Sequence, residues 1–207
     1  FEAENVPDTQ RAAERLCWVL ENEKPYLFEG EKIAFVRTIP NIPELFTKSE
    51  MQKLRATHWI HEKGDVCNIN VDYGKLLNCG FEAKKAELAA QATLHPDAVQ
   101  YLNGQIRILN AVESLAEKYR LLAVEQGNDV VAQSLQQVPK YAPRNFLEAL
   151  QMFRIIHYTM WCGRNYHNTI GRFDQYMYPY FKQDMDAGLY TEDSILELIE
   201  EFFLSFN

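Results

Sequence analysis

The loop Arg164-Asn165-Tyr166-His167-Asn168-Thr169-Ile170 carries side chains that suit contact with a small polar molecule. His167 can donate, accept or shuttle a proton near neutral pH, and Asn168 can both donate and accept hydrogen bonds. A polar loop between two aromatic-rich helical segments is a place where such groups converge on a ligand. The alternative interpretation is that His167 caps a helix end or binds a main-chain carbonyl.

The other histidines fit structural roles better than chemical ones. His157 lies on the apolar side of a helical segment, which favours a core histidine over a ligand. His58 and His61 have no third ligand at a spacing usual for metals, so the sequence predicts no metal site. Arg172 and Asp174 are also more consistent with structural roles, because an acidic residue in a first helical turn suits the helix dipole.

The four cysteines are scattered, without a Cys-x-x-Cys pair or the His/Cys spacing of a zinc site; they are Cys17, Cys67, Cys79 and Cys162. Free thiols in a reducing compartment are therefore expected.

The chain has 21 basic and 29 acidic residues, a net charge of −8, and no basic stripe that would bind nucleic acid. No apolar run approaches the roughly 20 residues that cross a bilayer. A cytoplasmic protein without nucleic-acid or membrane partners is expected.

Apolar residues recur every three or four positions along most of the chain, which indicates helices. The first predicted helix is capped by Asp8 or Thr9 and ends at Glu23, and the third runs from Tyr73 to Ala92 with Gly80 on its apolar side. The seventh runs from Phe173 to a stop at Gly188, and the eighth begins after a cap at Thr191. The others are predicted at Thr47–Thr57, from Pro96 to Gln126, at Asp129–Gln137 and at Asn145–Met160. A short extended piece is predicted at Lys32–Val36. The last helix should bury Ile195, Leu198, Ile199, Phe202, Phe203 and Phe206.

Two motifs close to each other give a specific resemblance. Pro143-Arg144-Asn145-Phe146-Leu147-Glu148-Ala149-Leu150-Gln151 leads through the polar loop into Gly171-Arg172-Phe173-Asp174-Gln175-Tyr176-Met177-Tyr178-Pro179-Tyr180. This combination resembles the pyruvate formate-lyase domain of the glycyl radical enzymes. Upstream, residues 11–34 and 71–81 are similar to further parts of that domain, so the resemblance covers most of the chain.

The resemblance implies a mainly helical segment, residues 1–207 being the amino-terminal part of a larger domain built around an α/β barrel. Family members store a radical on a glycine in an Arg-Val-x-Gly-type loop and pass it to a cysteine within the barrel, and neither motif occurs in these 207 residues. No catalytic residue and no bound cofactor is therefore expected in this segment. An apolar stripe that continues to Phe206, and a start at Phe1 without Met, lead us to expect a longer protein.

The resemblance also points to substrate-binding positions. In the dehydratase-like branch, a His-Ser pair in the loop before Gly171 contacts the substrate. Counting back from Gly171 places that pair at Tyr166 and His167, whereas a one-residue slip places it at His167 and Asn168. A second family histidine corresponds to Asn68, which can form a hydrogen bond but cannot take a proton. The alternative for Asn68 is a plain turn residue.

The implied activity of the complete protein is radical cleavage of C–C or C–O bonds, or dehydration, of a small polar substrate; formate acetyltransferase is the other family activity. The implied partners are that substrate, the remainder of the enzyme, a radical-SAM activating enzyme and further copies in a homo-oligomer. This segment alone is expected to be inactive. The competing hypothesis is a free-standing helical interaction module without chemistry, and an exposed row at Ile195, Leu198, Phe202 and Phe206 would argue against it.

Overall fold

The structure, a computed structural model, describes residues 6–57, 69–165 and 167–206. Within these ranges the chain is mainly helical, and the sole β-type pairing is an isolated bridge between Asn70 and Thr169. The helices are α1 (Asp8–Asn22), α2 (Lys48–Ala56), α3 (Tyr73–Leu94), α4 (Val99–Glu125), α5 (Asp129–Gln137), α6 (Phe146–Cys162), α7 (Phe173–Asp186) and α8 (Glu192–Leu204). None of the described helices is long and apolar enough to cross a membrane.

Side-chain caps fix most helix starts close to the predicted positions. The helices α2, α3, α5, α6 and α8 follow residues whose side chains accept a hydrogen bond from the first turn; these are Thr47, Asp72, Asn128, Asn145 and Thr191. The predicted cap of α1 at Asp8 or Thr9 is wrong, because α1 begins after Pro7, which has no capping side chain. Pro96 was expected to begin the long helix, but it begins a short 3-10 turn that precedes α4.

The prediction of a short extended piece at Lys32–Val36 is wrong, because these residues form no strand and pair with none in the described part of the chain. Side chains of three helices satisfy the backbone there instead. Ala34 N donates to Gln151 Oε1 (2.8 Å), and Val36 N donates to the Tyr119 hydroxyl (2.9 Å). Glu201 Oε1 accepts from Ile33 N (3.2 Å). The segment can therefore stay buried without a neighbouring strand.

The helix α6 lies at the centre of the core and packs on α1, α3, α5, α7 and α8, while α4 packs on α1, α3 and α5. Its Phe153 ring contacts the rings of Tyr73 on α3 and Phe202 on α8. The inward face of α8 is buried at Ile195, Leu198 and Phe202. An exposed row on this face, or its burial between copies of the chain, was expected if the chain is part of a longer protein. In the structure most of the row is covered by this chain itself.

Two residues placed on apolar faces behave differently in the structure. Phe203 is 45% exposed, so the prediction that it faces inward is wrong. Gly80 has φ +72 and kinks α3, where Phe81 N donates to Pro139 O (3.0 Å) rather than to its own helix.

Among the cysteines, Cys17 and Cys162 are buried, Cys79 is half-buried, and all three are free thiols. Cys67 lies outside the described residues.

Candidate functional site

The polar loop is held on one side by the residues that precede α3. Asn70 and Thr169 form a parallel bridge, in which Thr169 N donates to Ile69 O (3.1 Å). The Thr169 hydroxyl also donates to Asn70 Oδ1 (2.9 Å). The two segments that carry the predicted substrate-binding positions are therefore adjacent in space, although the bridging residues are 99 positions apart in sequence.

The loop is also fixed at its two ends. At its start, Asn165 N donates to Met160 O (3.1 Å) at the end of α6, and the Arg164 guanidinium pairs with Glu44 (2.7 Å). At its end, the Tyr176 hydroxyl on α7 donates to Ile170 O. Contacts from four parts of the chain thus position the loop.

Within this frame the loop carries two side chains that were predicted to bind substrate. His167 is exposed, and Asn168 is half-buried with its Nδ2 donating to Asn165 O. The other amide atom, Asn168 Oδ1, is buried and has no hydrogen-bond partner among the described atoms. A buried acceptor without a partner is uncommon and costly, so Asn168 Oδ1 is suited to accept a hydrogen bond from a bound hydroxyl or amine.

An aromatic cluster lies beneath the loop. Tyr176 stacks on Tyr73 at 6.0 Å between ring centres, and the Tyr73 hydroxyl shares a 3.1 Å hydrogen bond with His157 Nδ1. Burial, and then the charge of Arg154, lower the pKa of His157 to about 4, so this imidazole is neutral near pH 7. Burial raises the pKa of Tyr73 to about 12, which keeps its hydroxyl protonated. The pair is thus a neutral, packed support, as expected for a core histidine.

The structure brings together some of the predicted positions and not others. His167 and Asn168 share the loop, whereas Tyr166 and Asn68 lie outside the described residues, as do His58 and His61. Arg172 and Asp174 pair with each other at 3.1 Å on the surface, and no group of metal-binding side chains occurs in the described ranges. The sequence did not identify Asn70 and Thr169 as the residues that join the two segments. Their polarity, next to the predicted positions, was the signal that could have found them.

Comparison with known proteins identifies the family of this chain. The family model described as "Pyruvate formate lyase-like" matches residues 37–207. Among curated proteins, (2S)-3-sulfopropanediol dehydratase of Klebsiella oxytoca is 26% identical over 75% of this chain and 21% of that protein. Trans-4-hydroxy-L-proline dehydratase of Clostridioides difficile is 29% identical over 60% of the chain and 16% of that protein. The chain spans about a fifth of the length of these relatives.

Solved structures show the same fold at lower identity. The glycerol-bound B12-independent glycerol dehydratase from Clostridium butyricum superposes with a TM-score of 0.79 at 21% identity, over 98% of this chain and 35% of that one. A solved protein structure that concerns 1,2-propanediol dehydration in Roseburia inulinivorans superposes with a TM-score of 0.80 at 19% identity, over 98% of this chain and 34% of that one. The helical arrangement is therefore the fold of about a third of each of these chains.

Proposed function

Because this chain belongs to the pyruvate formate lyase-like family, we propose that it forms part of the substrate wall of a glycyl radical dehydratase or lyase. The observation that carries this proposal is the unpartnered, buried Asn168 Oδ1 beside the exposed His167 in a loop fixed by its neighbours. The substrate is a small polar molecule with at least one hydroxyl group. Its hydroxyl donates to Asn168 Oδ1, and His167 binds or moves a proton on a neighbouring oxygen.

The described cysteines do not fit the hydrogen-abstracting role. Cys17 and Cys162 are buried, so a substrate cannot reach their sulfur atoms. Cys79 is half-buried, and none of the three lies in a segment that resembles the family's cysteine loop. We assign no step of the radical chemistry to these thiols, and the work of this chain is to bind and orient the substrate.

Dehydration or lyase activity is favoured over formate acetyltransferase because the relatives reported above are dehydratases. A free-standing helical module is disfavoured because the family match runs through both the loop and its supporting helices. The barrel, a radical-SAM activating enzyme, a homo-oligomeric assembly and a cytoplasmic location belong to the same proposal. Tyr166 and Asn68 are further candidate substrate contacts within it. No nucleic-acid or membrane partner is included.

The test is His167→Ala in the complete enzyme that contains this chain. Losing a hydrogen bond to a reacting substrate costs about 2–4 kcal/mol of transition-state stabilisation, on the order of a 30- to 1,000-fold drop in turnover. The glycyl radical signal in electron paramagnetic resonance should stay nearly normal, because radical storage uses another part of the protein. Asn168→Ala should show a smaller loss of the same kind. His95→Ala, at another exposed histidine, is the matched control and should keep turnover.

Unchanged turnover and unchanged apparent substrate affinity in His167→Ala would return His167 to a structural role. The 207-residue chain alone should show no activity, and no glycyl radical doublet after incubation with an activating enzyme, because it lacks the Arg-Val-x-Gly-type motif. A doublet from the isolated chain would contradict that expectation.

A further inference from the structure

Arg154 on α6 is a buried cation without a carboxylate partner in the described part of the chain. Its residue is 5% exposed, and its Nη2 donates to Phe35 O (2.7 Å). Its Nε is buried and has no hydrogen-bond partner among the described atoms. Desolvation lowers the pKa of this guanidinium, a sign that the charge is poorly compensated. A buried charge in this condition is costly and is stabilised by an anion that reaches it.

Arg154 lines a cavity of about 430 Å³ between residues 28–37 and the helices α6 and α8. Much of the wall is apolar or aromatic, with contributions from Phe28, Ile33, Phe35, Trp161 and Leu204. Pockets for small molecules are commonly about 300–1,000 Å³ and combine such walls with a few polar groups. None of residues 167–172 lines this cavity, so it is separate from the candidate substrate loop.

Three other charged groups of the cavity, Glu201, Glu31 and Arg37, have partners of their own, and the remaining one, Glu29, is acidic and does not attract an anion. Glu201 Oε1 accepts from Lys32 N and Ile33 N, and Glu31 Oε2 accepts from Phe28 N (3.0 Å). Arg37 Nε donates to Ile39 O (2.8 Å), and its guanidinium lies 4.9 Å from the centre of the Trp161 ring. Arg154 is therefore the lining group with spare capacity for an anion.

We propose that this cavity is a binding site for a small carboxylate, with the carboxylate on Arg154 and an apolar body against Phe35 and Trp161. A guanidinium presents a planar fork that matches the two oxygens of a carboxylate, and such charge-assisted hydrogen bonds are the strong ones. Binding is also favoured because the apolar body and the aromatic and aliphatic walls remove each other's surface from water. The site would act beside the proposed substrate wall and does not depend on it.

Glu31 makes the site sensitive to pH. Burial raises the pKa of Glu31 to about 7, while the main-chain hydrogen bond from Phe28 opposes the shift. The charged residues around this carboxyl group are Glu29, Lys32, Arg37, Arg154 and Glu201. Protonated Glu31 can donate to a bound carboxylate, whereas ionised Glu31 repels it. Carboxylate binding should therefore weaken as pH rises from 6 to 8, and Glu31→Gln should remove much of that change.

The experiment compares 3-phenylpropanoate with its uncharged amide, 3-phenylpropanamide, by isothermal titration calorimetry on the 207-residue chain. The two probes share an apolar body and differ in charge. At pH 6 the carboxylate should bind at least about tenfold more tightly than the amide, the effect of one charge-assisted contact. Equal affinities, or no binding of the carboxylate, would overturn the proposal.

The variant Arg154→Gln should lose that preference, whereas Arg120→Gln, the same change at a surface arginine on α4 outside the cavity, should retain it. Circular dichroism checks that each variant is folded. Retention of the carboxylate preference by folded Arg154→Gln would also overturn the proposal. If Arg154→Gln does not fold, the comparison of the two probes on the unaltered chain decides the question.

Discussion

Gly171→Ala should loosen the candidate substrate loop through a single, identifiable contact. Gly171 has φ +59, and a Cβ added there would lie 2.9 Å from Asn70 Oδ1 and 3.1 Å from Asn70 Nδ2. Asn70 Oδ1 is the atom that accepts the Thr169 hydroxyl (2.9 Å). The alanine methyl group therefore has to displace the side chain that ties the loop to the start of α3.

The expected cost has two parts. A left-handed backbone at a residue other than glycine costs roughly 1–2 kcal/mol. Displacement of Asn70 breaks its bond with Thr169, which is worth about 0.5–1.5 kcal/mol, and the lower end applies because both residues are exposed. Gly171→Ala should thus lower the free energy of unfolding by about 2 kcal/mol.

Urea unfolding of the 207-residue chain measures this cost, with Asn70→Ala as the second arm of a double-mutant cycle. Because Asn70→Ala removes the atom in conflict, Gly171→Ala should cost about 0.5 kcal/mol less in that background. The matched control is Gly127→Ala, since Gly127 has φ +71 and nothing within 4 Å of its added Cβ. It should show the backbone cost alone.

Two outcomes would refute this reasoning. In the first, Gly171→Ala costs no more than the control at Gly127, which would mean that the contact with Asn70 imposes no penalty. In the second, the cost is the same with and without Asn70→Ala, which would mean that the loop is held by other contacts. In either case the side-chain bond between Asn70 and Thr169 would not be what positions His167.

Two further changes test the kink of α3 and the buried histidine beneath the loop. Gly80→Ala should destabilise the chain by about 3–5 kcal/mol in urea unfolding, because its φ is +72 and its Cβ would meet the Tyr141 backbone at 2.5 Å; a loss under about 1 kcal/mol would contradict the kink. For His157, the pKa of about 4 lies below the usual 6.5, so the unfolded state takes a proton first as pH falls. The stability that neutral His157 contributes should be present above pH 6.5 and lost progressively towards pH 4. The difference in melting temperature between the unaltered chain and His157→Gln should therefore shrink across that range, and a constant difference would be evidence against the buried neutral imidazole.

Local sequence signals were sufficient for most of the fold. Caps such as Asn145 and Thr191 act within one helical turn, so they mark helix starts without knowledge of the tertiary structure. Local signals were wrong at the start of α1 and at Pro96. Another failure lies where distant residues decide the outcome. Lys32–Val36 has the composition of a strand, but Gln151, Tyr119 and Glu201 provide its hydrogen bonds from more than 80 positions away.

The choice of His167 and Asn168 came from the family resemblance, by counting back from Gly171, and from the polarity of the loop between two aromatic-rich segments. Their role in substrate binding stays a prediction. The unpartnered Asn168 Oδ1 could not be foreseen, since it depends on how the loop folds back on Asn165. The buried cation at Arg154 was missed because its position in the apolar helix α6 gives no sign of a cavity beside it.

The motif that begins at Gly171, which carried part of the family resemblance, supports the polar loop that precedes it in this structure. Gly171 permits the left-handed turn and the close approach of Asn70. Phe173 stacks on Phe202 of α8 at 5.3 Å, and the Tyr176 hydroxyl holds the carbonyl of Ile170. These contacts fix the path of the chain on the carboxyl side of the loop. Under the proposed function, substrate choice can vary through the exposed loop residues while the supporting motif stays the same, so this motif identifies a family and not a substrate.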